Sequence, residues 1–378
     1  VNALSAWFEQ CLAWGYRRRN ALVAHPAFQR WASNSVWTRR IAQQHASGLF
    51  DLIAGFVYSQ TLLACVQLDL FERLEQRPLT AEAVAEACGL PPEAARRLLK
   101  AAAAIELVRE DAHGRFGLGR LGAPMLHNDA LRAMVLHHRA LYADLADPVA
   151  LLREPGEGRL ARFWPYAGAS AAQDGDAARR YSELMSASQS LVIGEVLSAV
   201  DFSGCGCVMD VGGGDGTFAC RLVRAYAQLC VRVADLPAVA ALAQSRAQRE
   251  GLEGRVTACA VDFRNDEPLP GGADAVSLIR VLHDHDDDDV LHLLRKVHAA
   301  LPAGGLLVIA EPMAGIQASA RVGDAYFGWY LLAMGSGRAR EPVEIIGMLT
   351  RCGFERARLL RSHMNWHASV ITAYRAKC

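Results

Sequence analysis

The chain has 378 residues, enough for two or three domains, and 52% of them are hydrophobic, enough for substantial cores. Lys plus Arg and Asp plus Glu both number 40, so net charge gives no case for a nucleic-acid binder. Ten cysteines are scattered without a framework: Cys205 and Cys207 form a lone C-x-C, and no second close pair completes a four-ligand zinc set.

Residues 1–48 are expected to form an arginine-rich helical extension. Through Phe50, arginines 17, 18, 19, 30, 39 and 40 face the single acid Glu9, a local excess of +5 (6 − 1). That excess suits a solvated helix face, or peripheral contact with anionic lipid. The stretch lacks the compact charged, apolar and cleavage pattern of a secretion signal. Leu49 to Phe71 is long enough to span a bilayer, but Asp51, Ser59, Gln60, Gln67 and Asp69 interrupt it. A buried or dimer-forming helix is expected there.

Residues 49–130 read as a winged helix-turn-helix. Thr80 can start a helix, Gly89 stops it, and Pro91–Pro92 open the next. Leu107–Val108 and Arg115–Phe116 flank a hairpin-like turn. DNA binding would need a polar, basic recognition helix, and Arg96, Arg97 and Lys100 are diluted by alanine and leucine. A helical linker and pocket region, 131–200, carries Phe163, Trp164, Tyr166 and Met185.

Residues 201–378 form the chemical domain. Strands are expected at 208–211, 230–234, 256–260, 275–279, 305–310, 354–360 and 369–373, with helical patterns between the first five. That order predicts a doubly wound, Rossmann-like α/β fold with an antiparallel terminal pair. Its most telling segment is VMDVGGGDGTFAC, Val208 to Cys220. An apolar strand ends at Asp210, and Gly212, Gly214 and Gly216 follow in GxGxG spacing before a helix. Glycine permits a tight turn and close backbone approach, so this is a nucleotide-cofactor loop. The dinucleotide fingerprint would be GxGxxG.

Asp235 ends the second strand, where a carboxylate can accept both ribose hydroxyls, a role shared by NAD and S-adenosylmethionine. Leu236 can pack on the ribose or adenine. Asp262 and Phe263 end the third strand and can meet an adenine edge and face; Arg280 ends the fourth. His283 lies just beyond, where α/β folds place ligands, and an imidazole can accept a proton there. Glu311 follows the fifth strand. His285 and the aspartates after it are expected at a helix start, where negative charge is favoured. Consecutive aspartates point in different directions, so no metal is expected. Met313, Tyr326, Phe327, Trp329, Tyr330 and Met334 come next and can form a large, adaptable apolar wall.

DVGGGDG resembles motif I of S-adenosylmethionine-dependent methyltransferases. With DLP, VDF, LIRVLHDHDDDDVLHLL, VIAEPM and CGF, the chain from Leu49 to Lys377 resembles the plant-caffeate-type O-methyltransferase family. RRRNALVAHPAFQRWA and FDLIAGFVYSQTLLACV extend the fit to bacterial carotenoid O-methyltransferases. The resemblance implies a homodimer, formed through the winged module, that uses S-adenosyl-L-methionine and releases S-adenosyl-L-homocysteine. It places Asp235, Asp262, Phe263 and Arg280 at cofactor-contacting positions, with lysine usual at the last. It makes His283 the general base and Glu311 its orienting partner. The implied acceptor is the tertiary C-1 hydroxyl of a hydroxycarotenoid of the demethylspheroidene or hydroxyneurosporene type. A bacteriochlorophyll precursor, quinone or phenolic hydroxyl is the alternative, and a non-enzymatic winged-helix regulator a further one. The implied location is cytoplasmic, with peripheral contact at photosynthetic or inner membranes. One departure stands out: Ala339 occupies the register where plant enzymes often carry a second histidine-orienting glutamate.

Overall fold

The computed structural model describes residues 3–163, 189, 192–361 and 368–377. The chain divides into two units, Val1–Leu126 and His127–Cys378.

The first unit is helical: α1 (Ala3–Ala24), α2 (Pro26–Asn34), α3 (Arg39–Gln67), α4 (Leu70–Arg73), α5 (Ala81–Cys88) and α6 (Pro92–Ala104). An antiparallel wing, β1 (Val108–Glu110) and β2 (Phe116–Leu118), completes it. Local chemistry sets these boundaries. The Thr80 side chain accepts the Ala83 N–H to cap α5, and Gly89, at φ 64°, ends it in the left-handed region. Leu70, Phe71, Leu99 and Phe116 are fully buried and form the unit's centre. The N-terminal half of α3 is different. Phe50, Leu52, Ile53, Phe56 and Val57 are exposed, as are Trp7, Trp14, Trp31 and Trp37 before them. By length and composition α3 could cross a membrane, and only 22% of its most apolar stretch is buried. Burial within its own chain therefore does not account for this helix.

The second unit begins with α7 (Asp129–Asp144), α8 (Pro148–Arg153) and α9 (Arg159–Phe163). Its sheet comprises β3 (Cys207–Val211), β4 (Cys230–Asp235), β5 (Val256–Ala260), β6 (Ala275–Ile279), β7 (Leu306–Glu311), β8 (Phe354–Leu359) and β9 (Ser369–Arg375). The strand order is β5-β4-β3-β6-β7-β9-β8. The first five strands in that order pair in parallel, and β9 runs antiparallel to both neighbours. Every residue of β6 and β7 is buried, as expected when both faces of a parallel sheet are covered. The chain passes from β3 to β4 and β5, then returns to β6 on the other side of β3. That reversal opens a crevice at the carboxyl ends of β3 and β6.

Two local expectations need correction. Residues 261–274, between β5 and β6, contain no helix. Pro268, Pro270, Gly271 and Gly272 break any helical run there. His285 is not part of a helix start: the helix spans Asp287–Ala300 with Asp286 at its N-cap. The His285 ring instead meets Phe263 edge-on, with centroids 5.1 Å apart.

Candidate active site

The glycine loop forms a cradle at the end of β3. Gly212, Gly214 and Gly216 all have positive φ, at 69°, 61° and 78°. The Gly212 N–H donates to the Ala234 carbonyl at 2.8 Å, tying the loop to β4. A Cβ on Gly212 would stand 2.7 Å from Val281 Cγ2, and one on Gly213 would stand 2.4 Å from Asp210 Oδ2. Asp235 accepts the Gly214 N–H at 2.8 Å on one oxygen and the Leu236 N–H at 2.7 Å on the other. Each oxygen keeps a lone pair for a ligand hydroxyl. Asp210 Oδ1 accepts the Ser277 hydroxyl at 2.6 Å, while its buried Oδ2 has no partner among the described residues. Buried Gln189 Oε1 is likewise unsatisfied, and its amide nitrogen lies 3.8 Å from where a Gly214 Cβ would sit. Burial pushes Asp210 up to about 7 and Asp235 up to about 6. Unpaired buried acceptors beside a loop that excludes side chains fit a ligand rich in hydroxyl and amine donors, as S-adenosylmethionine is.

The flank of the cradle is fixed by its neighbours. Arg264 pairs with Asp262 at 3.2 Å, and Lys296 donates to the Phe263 carbonyl at 3.1 Å. Arg280 sits in the left-handed region at φ 59°, and its N–H donates to the Ala310 carbonyl at 2.8 Å. Its charge acts on His283, Asp284, Tyr326 and Tyr330, so the guanidinium belongs to the region around His283.

His283 lies in a short turn after β6, 4% exposed. Its Nδ1 is 2.5 Å from Glu311 Oε2, at the end of β7. The same carboxylate accepts the N–H groups of Val281 at 2.9 Å, Leu282 at 2.7 Å and His283 at 3.4 Å. Asp284 Oδ1 lies 3.2 Å from His283 Nε2. Burial works to lower the imidazole's pKa, but the Asp284 and Glu311 carboxylates outweigh it and hold it above the ordinary value. Asp284 is itself pushed up to about 6 by burial, against the pull of His283. A ring anchored through Nδ1 leaves Nε2 as the nitrogen able to take a proton.

Residues 336–340 run along the same turn. The Ser336 hydroxyl donates to the Asp284 carbonyl at 3.2 Å, and the Gly337 N–H donates to Asp286 Oδ1 at 3.0 Å. The Arg340 guanidinium is buried and donates to the carbonyls of Leu282 and His285, each at 2.7 Å. It also donates to Asp287 Oδ1 at 2.9 Å. Asp286 and Asp287, from the acidic run, are thus partners of this segment. Among the described residues no group of three His, Cys, Asp or Glu side chains is placed to hold a metal. Sequence reasoning missed Arg340; its only signal was a basic residue just before a helix, downstream of an apolar one.

The candidate acceptor wall starts with a π-helical turn, Arg321–Tyr326, which leads into the α-helix Phe327–Met334. Phe327 meets His283 edge-on at 5.6 Å and Tyr326 at 5.0 Å. Tyr330 and Met334 are buried against Leu141, Leu151 and Leu160, and Trp329 packs on that cluster. Met313 belongs to the core under the sheet. The wall also carries polar pairs that sequence reasoning missed. Tyr326 Oη lies 2.7 Å from His138 Nε2, and Tyr330 Oη lies 2.9 Å from His137 Nε2. Burial lowers both histidines, His137 to about 4, and raises Tyr326 to about 12. The side chain of Phe163, with Trp164, Tyr166 and Met185, lies outside the described residues.

A doubly wound sheet, a glycine cradle over paired carboxylates and a buried His–Glu pair together define a Rossmann-like methyltransferase. The chain belongs to the O-methyltransferase family: residues 142–355 match its O-methyltransferase domain and residues 50–128 its dimerisation domain. It is 44% identical to demethylspheroidene O-methyltransferase of Cereibacter sphaeroides, over 94% of this chain and 93% of that one. It is 42% identical to the enzyme of the same name from Rhodobacter capsulatus, over 89% and 84% of the two chains. The fold is shared with human N-acetylserotonin methyltransferase, solved in complex with SAM, at a TM-score of 0.75 and 23% identity. That alignment covers 88% of this chain and 98% of the other. The dimerisation domain supports a homodimer.

Proposed function

We propose that this chain transfers a methyl group from S-adenosyl-L-methionine to the tertiary C-1 hydroxyl of a hydroxycarotenoid, of the demethylspheroidene or hydroxyneurosporene kind. The observation that carries the chemistry is the buried His283–Glu311 pair beside the glycine cradle. The acceptor class is supported by the two relatives named above and by the aromatic wall next to His283.

S-adenosylmethionine supplies, when bound, an electrophilic methyl on a sulfonium. Asp235 accepts the ribose hydroxyls, and Leu236, Asp262 and Phe263 take the adenine. Asp210, Gly212 and Gly214 shape the cradle, and Arg280 closes it toward His283. His283 Nε2 accepts the acceptor's proton as the new C–O bond forms. Glu311 holds the other nitrogen in its protonated tautomer and stabilises the imidazolium. A tertiary alcohol is a poor acid, so proton removal and methyl transfer are concerted, and alignment supplies much of the catalysis. Among the described residues, Tyr326, Phe327, Trp329 and Tyr330 serve the acceptor, with Met313 in the core behind them. The two His–Tyr pairs favour a second reading, a more polar tetrapyrrole, quinone or phenol.

Residues 49–130 form the dimerisation module, and of the apolar Phe50–Phe71 stretch the exposed N-terminal part, Phe50 to Val57, packs on a second copy and helps close its pocket, while Leu70 and Phe71 stay in their own core. Residues 131–200 contribute to the pocket, and residues 201–378 carry the chemistry. Residues 1–48 serve as a reversible anchor on the cytoplasmic face of an anionic membrane, where the acceptor resides. Six arginines supply the attraction, and four exposed tryptophans suit the membrane–water interface.

Labelled methyl transfer to hydroxycarotenoid held in liposomes tests both parts. Hydroxycarotenoid is expected to be methylated in preference to phenols, quinones or tetrapyrroles. The rate is expected to be several-fold higher on anionic than on zwitterionic vesicles at low salt, with the difference fading at high salt. Preferred turnover of a polar acceptor removes the substrate assignment; indifference to lipid charge and salt removes the anchor alone.

A further inference from the structure

We propose that Arg340 is a positioning residue for methyl transfer, which aims the His283 imidazole by holding the backbone carbonyls on either side of it. The proposal rests on His283 being the proton acceptor.

The turn carrying His283 is gripped twice, by groups of opposite charge. Glu311 takes its donors, the N–H groups of Val281, Leu282 and His283. Arg340 takes its acceptors, the carbonyls of Leu282 and His285. Ser336 takes the Asp284 carbonyl between them. The direction of an imidazole follows from the backbone that bears it, and residues 282 and 285 bracket that backbone.

Arg340 is itself immobilised. Its side chain is 1% exposed, Asp287 Oδ1 accepts its Nε–H at 2.9 Å and lies 2.7 Å from its Nη2, and its own carbonyl accepts the Ala314 N–H at 3.0 Å. A buried guanidinium needs partners, and among the described residues its charge is met by Asp287, which it shares with Arg338. The two remaining bonds therefore bear on geometry, and both reach the His283 turn. Lysine cannot reproduce them, because an ammonium lacks the planar fork that spans two carbonyls. A misplacement of about 1 Å is enough to cost a factor of about 100 in rate.

The test is a double-mutant cycle between Arg340→Lys and His283→Ala, with Asp287→Asn as a milder second variant. Turnover is read by labelled methyl transfer at saturating acceptor, and S-adenosylmethionine affinity by calorimetry. Arg340→Lys is expected to lower kcat by roughly tenfold or more, with acceptor KM and donor Kd within about twofold. In the His283→Ala background the same change is expected to cost less than about twofold, because its target is already gone. Asp287→Asn is expected to show the same pattern with a smaller, several-fold loss, and it decides the matter if Arg340→Lys does not fold. Full turnover of a folded Arg340→Lys enzyme overturns the proposal. So does an equal fold-loss in both backgrounds, which assigns Arg340 a role independent of His283. Undiminished turnover of His283→Ala overturns instead the proton-acceptor reading on which this one rests.

Discussion

His283→Ala is expected to lower kcat by about 10²- to 10⁴-fold while leaving S-adenosylmethionine affinity within about twofold. The ring is removed from the end of β6, whereas the cradle is built at the ends of β3 and β4, so the two losses separate. Turnover and calorimetry on one preparation check this. A folded variant with normal turnover would exclude the general-base role. The pH dependence gives a second readout. Asp284 and Glu311 hold the imidazole above its ordinary value of 6.5, and the neutral ring is the proton acceptor. The rate therefore rises with pH through a midpoint above 6.5. Glu311→Gln removes one of the raising charges while burial remains, so the acid limb moves to lower pH and the maximal rate falls less than in His283→Ala.

Gly337→Ala is expected to be nearly as damaging, although residue 337 takes no part in the chemistry. Gly337 has φ 73°, and a Cβ there would stand 2.1 Å from the His283 carbonyl oxygen and 2.8 Å from the His285 nitrogen. All of these neighbours are backbone, so relief of the clash must displace the His283 turn. A kcat loss of about 100-fold or more is expected, with a destabilisation on the order of 1–3 kcal/mol from the strained backbone. Gly347→Ala is the control: that glycine is exposed in the helix Pro342–Arg351 with open space around its Cβ, and the change is expected to be neutral or slightly stabilising. Thermal melts and turnover of the two variants give the comparison. Turnover of Gly337→Ala equal to the control would mean that the turn tolerates displacement.

The strands at the centre of the sheet were legible in sequence because each is a short apolar run between breakers, as in β6 and β7. The glycine loop, Asp235, His283 and Glu311 were legible because each follows such a run directly, at the carboxyl edge where ligands bind. What was hidden depends on contacts between distant segments. Arg340 reaches back to residues 282, 285 and 287, and no local pattern marks a guanidinium that serves remote carbonyls. His137 and His138 lie in a helical stretch with no local mark until Tyr330 and Tyr326 meet them across nearly two hundred residues. His285 was misplaced for a similar reason. The acidic run after it does start a helix, with Asp286 at the N-cap and Asp287–Asp289 in the first turn, and His285 falls one residue before it with its ring against Phe263.

The two carboxylates beneath the glycine loop make filling of the cradle a proton-linked equilibrium. Both are raised from 3.8, Asp210 to about 7 and Asp235 to about 6. The empty folded chain thus retains protons that the unfolded chain has already released. Its stability from these groups is present at low pH and is lost as pH rises through those two values. A ligand whose hydroxyls donate to Asp235 favours the ionised carboxylate and drives its proton off. Uptake of S-adenosylmethionine is therefore expected to release protons near pH 6, an effect that fades by about pH 8, where both groups are already ionised. Calorimetry in two buffers of different ionisation heat counts those protons, and a count of zero across the range would dissociate the carboxylates from the ligand. Mild acid then has two opposed effects on this protein: it steadies the empty cradle and weakens the hold on the methyl donor.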